Sequence, residues 1–430
     1  MEEKVIKIGL LGLGTVGCGV YKILEENKES IQQRAGIRLE VKKVLVRSLD
    51  KKRGVELPEA MLTTSLADII EDPEIKIVVE VLGGVNPTLD YVLAALNQGK
   101  SVVTANKDMV AEYGEQLFAA AQRNQCDLLF EASVAGGIPI IRTLKQSLAG
   151  NQIEEVFGII NGTTNYMLTK MTQEGSPFAE VLSEAQAKGY AESDPTADVG
   201  GFDAARKIAI LASIAFNTRI PLSQVYTEGI TKITVDDIAY ASELGYMIKL
   251  LGIAKARSEG VEVRVHPTFI PKDHPLAAVG DVFNAVFVRG NAVGDTMFYG
   301  KGAGELPTAS AVVADIMDAA RDIVWNVPGI IGCTCFEKKP VLDIGETFSK
   351  YYIRLKVADK PGVLASIALV FGNKEVSLKS VLQKATDNTA ELVLITHRVQ
   401  EQNVQDALMD IKQLSSVLEI ANMIRVEGEE

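Results

Sequence analysis

Hydrophobic and polar positions follow three regimes along the chain. From Val5 to about residue 150, short runs that are apolar on both faces alternate with stretches long enough for a helix. The runs are Val5–Leu11, Val41–Val46, Ile75–Leu82, Ser101–Thr104 and Leu128–Glu131, and the first predicted helix is Cys18–Glu29. Strands buried on both faces with helices between them predict a doubly wound parallel sheet. From Ile153 the pattern changes. Val156–Ile160 reads as a strand ending in a polar turn, Asn161–Tyr166, and helices run to about Lys188. A loop then leads into a helix at Phe202–Phe216, and Thr218–Gln224 reads as a linker. The shorter strands Lys249–Lys255, Val261–Phe269 and Ala285–Gly290 follow. A glycine-rich loop at Gly300–Thr308 precedes a helix, Ala309–Arg321, that is expected to return to the first region.

The third regime follows a predicted linker at Gly332–Thr347. Tyr351–Ala358 alternates as a strand, a helix runs from Asp359-Lys-Pro-Gly362 to Phe371, and Val376–Gln383 and Glu391–Arg398 are strands around a turn at Thr386–Asn388. A helix at Val404–Leu414 and a strand at Leu418–Val426 complete the order βαββαβ, a ferredoxin-like unit. The expected fold class is therefore mixed α/β and α+β. Residues 1–150 form a Rossmann domain completed by about 305–330, 151–304 an α+β substrate domain, 331–348 a linker, and 349–430 the ferredoxin-like domain.

The first strand runs straight into Gly12-Leu-Gly14-Thr-Val-Gly17 and then a helix. In that context the glycines let a backbone approach a pyrophosphate, and the helix N-terminus offers free N–H groups. A glycine turn that only packs helix on strand is the bland alternative. The second strand ends in Arg47-Ser48 with Lys51, Lys52 and Arg53 close behind, where an NAD-preferring domain offers an acid to the ribose. A missing acid and added cations favour the 2′-phosphate of NADP, although a solvated basic loop accounts for the same residues and NAD stays open. Ligands of open α/β sheets gather beyond the C-terminal strand ends, which places Gly83, Thr104, Asn106 and Lys107 well. Glu131 before Ala132-Ser-Val-Ala-Gly-Gly137-Ile-Pro139 suits either a corner that aims carbonyls at a cation or a plain structural turn.

The chain's most concentrated chemistry lies in Gly189–Lys207, GYAESDPTADVGGFDAARK, with Glu192, Asp194, Asp198 and Asp203 in a dozen residues. A solvated acidic loop is one reading. Against it, the helix that follows is built of Ala and Ile and so is buried, and Asp203 and Lys207 at i, i+4 share one face of its first turns. Asp194 is left with at most a capping role before Pro195.

Composition narrows the partners. A chain of 430 residues with 47% apolar and 23% charged residues carries more than one core. A net charge of −12 argues against nucleic acid and acidic membrane surfaces. Cys18, Cys126, Cys333 and Cys335 with three histidines make neither a disulfide framework nor a zinc spacing. With no cleavage-site pattern and no apolar run of roughly 18 residues, a cytoplasmic protein without a membrane partner is expected.

GLGTVG, TANK, EASVAGGIP, NGTTNY, GYAESDPTADVGGFDAARK and GKGAGELPTASAVVAD, in that order, make the first 330 residues resemble homoserine dehydrogenase. The last eighty, opening VADKPGVLASIA, resemble an ACT domain, and with no aspartate kinase ahead of the dehydrogenase the chain looks like the monofunctional form. The resemblance implies reversible reduction of L-aspartate 4-semialdehyde to L-homoserine, in threonine, methionine and isoleucine biosynthesis. It assigns the substrate to Glu192, Asp198, Thr163 and Tyr190, with Lys207, Lys107 and Asp203 catalytic. Gly12, Thr15, Val16, Arg47, Thr104, Gly302 and Glu305 match cofactor positions. Glu131, Val134, Gly136 and Ile138 are similar to a monovalent-cation site for Na+ or K+, bound mostly by backbone carbonyls. It also implies threonine as an effector and a homodimer or homotetramer.

The chemistry agrees with the residues. Reducing an aldehyde needs a hydride and a proton for the developing alkoxide, and a desolvated lysine is a suitable donor. Anions are needed for the substrate's ammonium, and Glu192 and Asp198 supply them. Two rival readings remain. Semialdehyde oxidation through a cysteine thioester needs a thiol beside a His, and neither Cys18 nor Cys126 has one nearby in sequence. A nucleotide- and amino-acid-sensing regulator has no use for a lysine-and-carboxylate cluster.

Overall fold

The computed structural model describes residues 4–330, 332–386 and 389–428, so Ile331 and the Asp387–Asn388 part of the expected turn lie outside the described residues. The chain forms two compact units. The first holds Met1–Glu154, Ala209–Leu222 and Asn284–Lys338, and the second Glu155–Ile208, Ser223–Phe283 and Lys339–Glu430.

The first unit is built on six parallel strands: β1 (Val5–Leu11), β2 (Arg38–Leu45), β3 (Leu62–Thr63), β4 (Ile75–Glu80), β5 (Ser101–Thr104) and β6 (Leu128–Leu129). Their order is β3-β2-β1-β4-β5-β6, which reverses direction at β1 and β4, as in a Rossmann sheet. Alternate residues of β4 feed two cores. Ile77 and Val79 pack with Val20, Leu24, Val312 and Ile316 on one face, and Val78 packs with Val92, Leu96 and Met109 on the other. Burial on both faces explains why these strands read as unbroken apolar runs. The helix Glu305–Trp325 packs on the helix Thr15–Glu26 closely enough that a Cβ at Gly19 would stand 2.6 Å from the Glu305 carbonyl.

Three boundaries differ from expectation. The single helix expected at Cys18–Glu29 begins at Thr15, directly after Gly14, and is split at Asn27 from a second helix, Lys28–Ala35. The last strand stops at Leu129, before Glu131, because the buried Glu131 carboxylate turns to accept backbone N–H groups from Ile141 and Arg142. The expected linker from Thr218 is anchored, with Thr218 and Ile220 buried and Thr218 bridged to Glu337.

The second unit is a sheet with strands ordered Ile153–Ile159, Tyr246–Ala256, Val261–Pro271, Val417–Val426, Phe348–Ala358, Thr389–Thr396 and Leu378–Thr386. The expected polar turn at Asn161–Tyr166 is instead the start of a helix, Gly162–Glu174, capped by Asn161. The strands Tyr246–Ala256 and Val261–Pro271 are eleven residues each, longer than read from the sequence. Several of their polar positions are buried, and Arg264 pairs with Glu262 and, at 2.7 Å, with Glu427, whereas Arg264 Nε and His266 Nε2 are buried without a hydrogen-bond partner among the described residues. A helix at Val235–Glu243, closed by a Thr234–Asp237 capping box, was not anticipated.

The C-terminal βαββαβ order is present: strands Phe348–Ala358, Leu378–Thr386, Thr389–Thr396 and Val417–Val426, with helices Val363–Asn373 and Glu401–Ile411. Tyr351, Ile353, Leu355 and Val357 enter its core with Ile367, Phe371, Val404 and Ile411. The intervening Tyr352 and Arg354 face the other way, onto Asp237 at 3.1 and 2.9 Å. The last strand pairs parallel with Val261–Pro271 through Thr268–Arg425 and Phe269–Val426, so the C-terminal sheet continues that of the preceding segment. No helix among the described residues is long and apolar enough to cross a membrane.

Candidate active site

The helix Phe202–Ala215 starts after Gly201, whose φ of 83° lies in the left-handed region that glycine tolerates. Ala204, Ala205, Ile208 and Leu211 bury its inner side and hold the first two turns fixed. On those turns Lys207 Nζ donates to Asp203 Oδ2 at 2.7 Å and to the Ile160 carbonyl at 2.8 Å. Asn161, the next residue, gathers the acids. Its amide donates to Asp198 Oδ1 at 2.7 Å and to Asp203 Oδ2 at 2.9 Å, while its oxygen accepts Thr164 N at 2.9 Å and caps the helix. Burial pushes the Asp198 carboxyl up; the Asn161 hydrogen bond opposes that shift and the Asp203 charge adds to it.

In the sequence Asn161 reads only as part of a polar turn. The available signal was an Asn directly before a Gly-Thr-Thr run, the position an N-cap takes. Around this centre Thr163 Oγ1 donates to the Tyr190 carbonyl at 2.6 Å, and the Tyr190 ring, largely exposed, meets Tyr166 edge-on at 4.9 Å. Glu192 is exposed on the same loop. Asp194 caps the turn before the short helix Thr196–Val199, accepting Thr196 N at 3.1 Å and its hydroxyl at 2.6 Å.

The other predicted residues belong to the first unit. Gly12 has a φ of 106°, and a Cβ at Gly17 would stand 2.3 Å from the Gly12 carbonyl, so side chains at these two positions would close the turn. Gly14 and Thr15 are exposed and Val16 half-buried at the N-terminus of a twelve-residue helix with no side-chain cap. That leaves a concave backbone with N–H groups aimed outward, which fits a pyrophosphate. Arg47 is exposed beyond β2, whereas Arg53 is spent on the loop itself, donating to the carbonyls of Leu49 at 3.2 Å, Lys51 at 2.7 Å and Ser48.

Beyond β4 and β5, Thr104 donates to the buried Glu80, which also accepts Leu82 N at 2.8 Å and Gly83 N at 3.1 Å. Sequence reasoning missed Glu80. It shapes the loop at the point where strand order reverses, and burial raises its pKa. Asn106 caps the helix Lys107–Arg123 through Met109 N at 3.1 Å, which fixes the half-buried Lys107 as its first residue.

Glu131 is engaged at both oxygens, 2.7 Å from each of Ile141 N and Arg142 N. Ala135 and Gly136 are consecutive left-handed residues, and a Cβ at Gly136 would stand 2.4 Å from the Gly302 carbonyl, so the two glycine-rich corners meet here. Val134 and Ile138 are buried, and Asn284 Oδ1, next to Gly302, has no hydrogen-bond partner among the described residues. The corner thus presents oxygen donors, which suit a hard cation. Glu305, first residue of its helix, pairs with Lys22 at 2.6 Å. Buried Asp315, also missed, accepts Glu131 N at 2.8 Å. Burial and the Glu131 charge push its carboxyl up to about 7.

The homoserine dehydrogenase family model matches residues 139–317, its NAD binding domain model residues 12–131, and the ACT domain model residues 351–416. The chain is 46% identical over 428 residues to the homoserine dehydrogenase of Bacillus subtilis, covering 99% of both chains. It belongs to the homoserine dehydrogenase family. The Synechocystis enzyme is 48% identical over 433 residues, covering 98% of this chain and 99% of that one. Among solved structures, a homoserine dehydrogenase from Thiobacillus denitrificans superposes with a TM-score of 0.93 at 45% identity, covering 99% of each. A hyperthermophilic archaeal homoserine dehydrogenase in complex with NADPH gives 0.62 at 27% identity, over 73% of this chain and 97% of that one. The chain is therefore an NAD(P)-dependent oxidoreductase with an appended ACT domain. Neither Cys18 nor Cys126 is set up for the thioester chemistry of the rival dehydrogenase reading. Cys126 is buried with its thiol pushed up to about 12 by desolvation, and Cys18 is buried with its sulfur 3.7 Å from the Leu13 carbonyl.

Proposed function

We propose that the chain reversibly reduces L-aspartate 4-semialdehyde to L-homoserine, with Lys207 and Lys107 sharing proton transfer and alkoxide stabilisation. The observation that carries this reading is the Lys207–Asp203 contact of 2.7 Å on a buried helix, with the Ile160 carbonyl at 2.8 Å as the second acceptor. Two acceptors fix the ammonium's direction and leave its third hydrogen for a substrate oxygen. Asp203 orients Lys207, and Glu192 and Asp198 bind the substrate's ammonium, with Thr163 and Tyr190 shaping the rim.

When bound, the nicotinamide supplies the hydride. Gly12, Gly14, Thr15, Val16 and Gly17 would hold the pyrophosphate end, Arg47 a 2′-phosphate, and Thr104, Lys107, Gly302 and Glu305 the remainder. NADP is preferred to NAD in this reading, because an exposed Arg stands where an acid would repel that phosphate. The carbonyls at Val134, Gly136 and Ile138, with Glu131, would hold Na+ or K+ and stiffen the corner between the glycine-rich loops.

Residues 1–150, completed by about 305–330, form the nucleotide domain, and 151–304 bind substrate and pair two chains. Residues 331–348 link these to 349–430, which senses an amino acid, with threonine as the effector. A cytoplasmic homodimer or homotetramer serving threonine, methionine and isoleucine synthesis completes the proposal.

Initial rates with both nicotinamides and both substrates, with and without threonine, test it. Absorbance decay of NADPH on adding the semialdehyde, slowed by threonine, is expected. Tight nucleotide binding with no decay contradicts it.

A further inference from the structure

Cys333 and Cys335 stand one residue apart beside a cleft in the first unit walled by Phe118, Phe130, Ile210 and Ile214. The cleft is cationic as well as apolar. Arg219 Nη2 donates to Cys333 Sγ at 3.8 Å, and Lys145 Nζ donates to the Gly332 carbonyl at 3.0 Å while lying 5.1 and 5.0 Å from the ring centres of Phe118 and Phe130. Glu115 lies 3.6 Å from Arg219 and pairs with that guanidinium. The chain turns tightly here, with Phe336 N donating to the Thr334 carbonyl at 3.0 Å. That turn brings both thiols to the lining of the same cleft.

The thiols are not equivalent. Cys333 is exposed, and the Cys335 hydrogen bond, then the charges of Arg219 and Lys145, hold its thiol well below the usual range. Cys335 is half-buried, pushed up by the same contact, and its sulfur donates to the Ser213 carbonyl at 3.7 Å. Ser213 lies in the last turns of the helix that carries Asp203 and Lys207. Cys18 and Cys126, by contrast, are buried. An exposed thiol 3.8 Å from a guanidinium, with an ammonium and a second thiol lining the same cleft, is an arrangement a structural cysteine does not need.

We propose that Cys333 and Cys335 form a dithiol site that exchanges with small-molecule disulfides, Cys333 attacking and Cys335 resolving. The Cys333 thiolate displaces one sulfur of the disulfide, forming a mixed disulfide and releasing one thiolate. Cys335 then gives its proton to the released thiolate and attacks Cys333 Sγ, forming the Cys333–Cys335 bond and releasing the second thiolate. The small disulfide gains two electrons and the protein loses two. Lys145 and Arg219 favour disulfides that carry carboxylates.

Glutathione disulfide at about pH 7 tests this on the full-length chain. After digestion without reductant, the peptide spanning both cysteines is expected to be two hydrogens lighter than its reduced form, and Cys335→Ser is expected to stop at a glutathione adduct on Cys333. Iodoacetamide alkylation of Cys333 is expected to keep most of its rate from about pH 8 to about pH 6, whereas an ordinary thiol loses roughly a hundredfold. Arg219→Gln and Cys335→Ser should each restore part of that fall. An ordinary pH slope in the wild type, a chain-to-chain disulfide, or an adduct that Cys335 never resolves would overturn the proposal.

Discussion

Asn161 donates one amide hydrogen to the buried Asp203 at 2.9 Å and the other to the half-buried Asp198 at 2.7 Å, so a single side chain sets the spacing of the two carboxylates. Its oxygen caps the helix Gly162–Glu174, which ties the acids to the backbone of that helix. Asn161→Ser keeps an N-cap but removes the amide donors. The expected loss in kcat/KM is ten- to a hundredfold, the cost of roughly 1.5–3 kcal/mol for a hydrogen bond to a charged group. The melting temperature should move far less than with Asn161→Ala, which also gives up a cap worth about 1 kcal/mol. Equal melting shifts with unchanged kinetics would reduce Asn161 to a cap.

Arg47 and Arg53 separate cofactor choice from loop structure. Arg53 holds three loop carbonyls, while Arg47 is exposed at the strand end. Arg47→Ala should raise the KM for NADPH roughly tenfold or more and leave NADH nearly unchanged, since one charge-assisted contact to the extra phosphate is lost. Arg53→Ala should weaken both cofactors together. Steady-state rates with the two nicotinamides decide it.

How much of this was legible in the sequence depends on what the signal rests on. The strands β1, β4 and β5 were readable because burial on both faces leaves unbroken apolar runs, and the Asp203–Lys207 pair because helical spacing fixes it. The helix cap at Asn161 reads as a turn because its motif is polar and its acidic partners lie 37 and 42 residues away. The strand Val261–Pro271 reads two residues short in the sequence because Pro271 looks like a strand end, and within it Glu262, Arg264 and His266 look like solvent positions until their surroundings are known. Glu80 and Asp315 were invisible for the same reason.

Asp315 should make stability fall with pH. Its folded-state pKa, about 7, lies above the ordinary carboxylate value, so the folded chain holds a proton that the unfolded chain releases. The contribution is present below the unfolded value and is lost as pH rises through the folded one. Asp315→Asn removes the titration, and its stability relative to wild type should improve from about pH 4 to about pH 7, by at most roughly 1.4 kcal/mol for each pH step of one across that window. Denaturant melts across that range check it, and a constant difference would refute it.

Asp237 is fully buried, and it accepts from Arg354 at 2.9 Å, Tyr352 at 3.1 Å and Asn422 at 2.8 Å. Asp237→Ala leaves the Arg354 guanidinium buried without its main counter-ion and should cost about 3–5 kcal/mol in urea unfolding. Asp237→Asn keeps the shape and one acceptor and should cost less.

The most direct test of the catalytic assignment is single-turnover hydride transfer in Lys207→Ala. With Lys207 fixed between Asp203 and the Ile160 carbonyl at 2.7 and 2.8 Å, oxidation of bound NADPH by aspartate semialdehyde is expected to slow by about a hundredfold or more, the scale of a lost general acid, while NADPH affinity stays within a factor of about two. Turnover retained within a few-fold would contradict it.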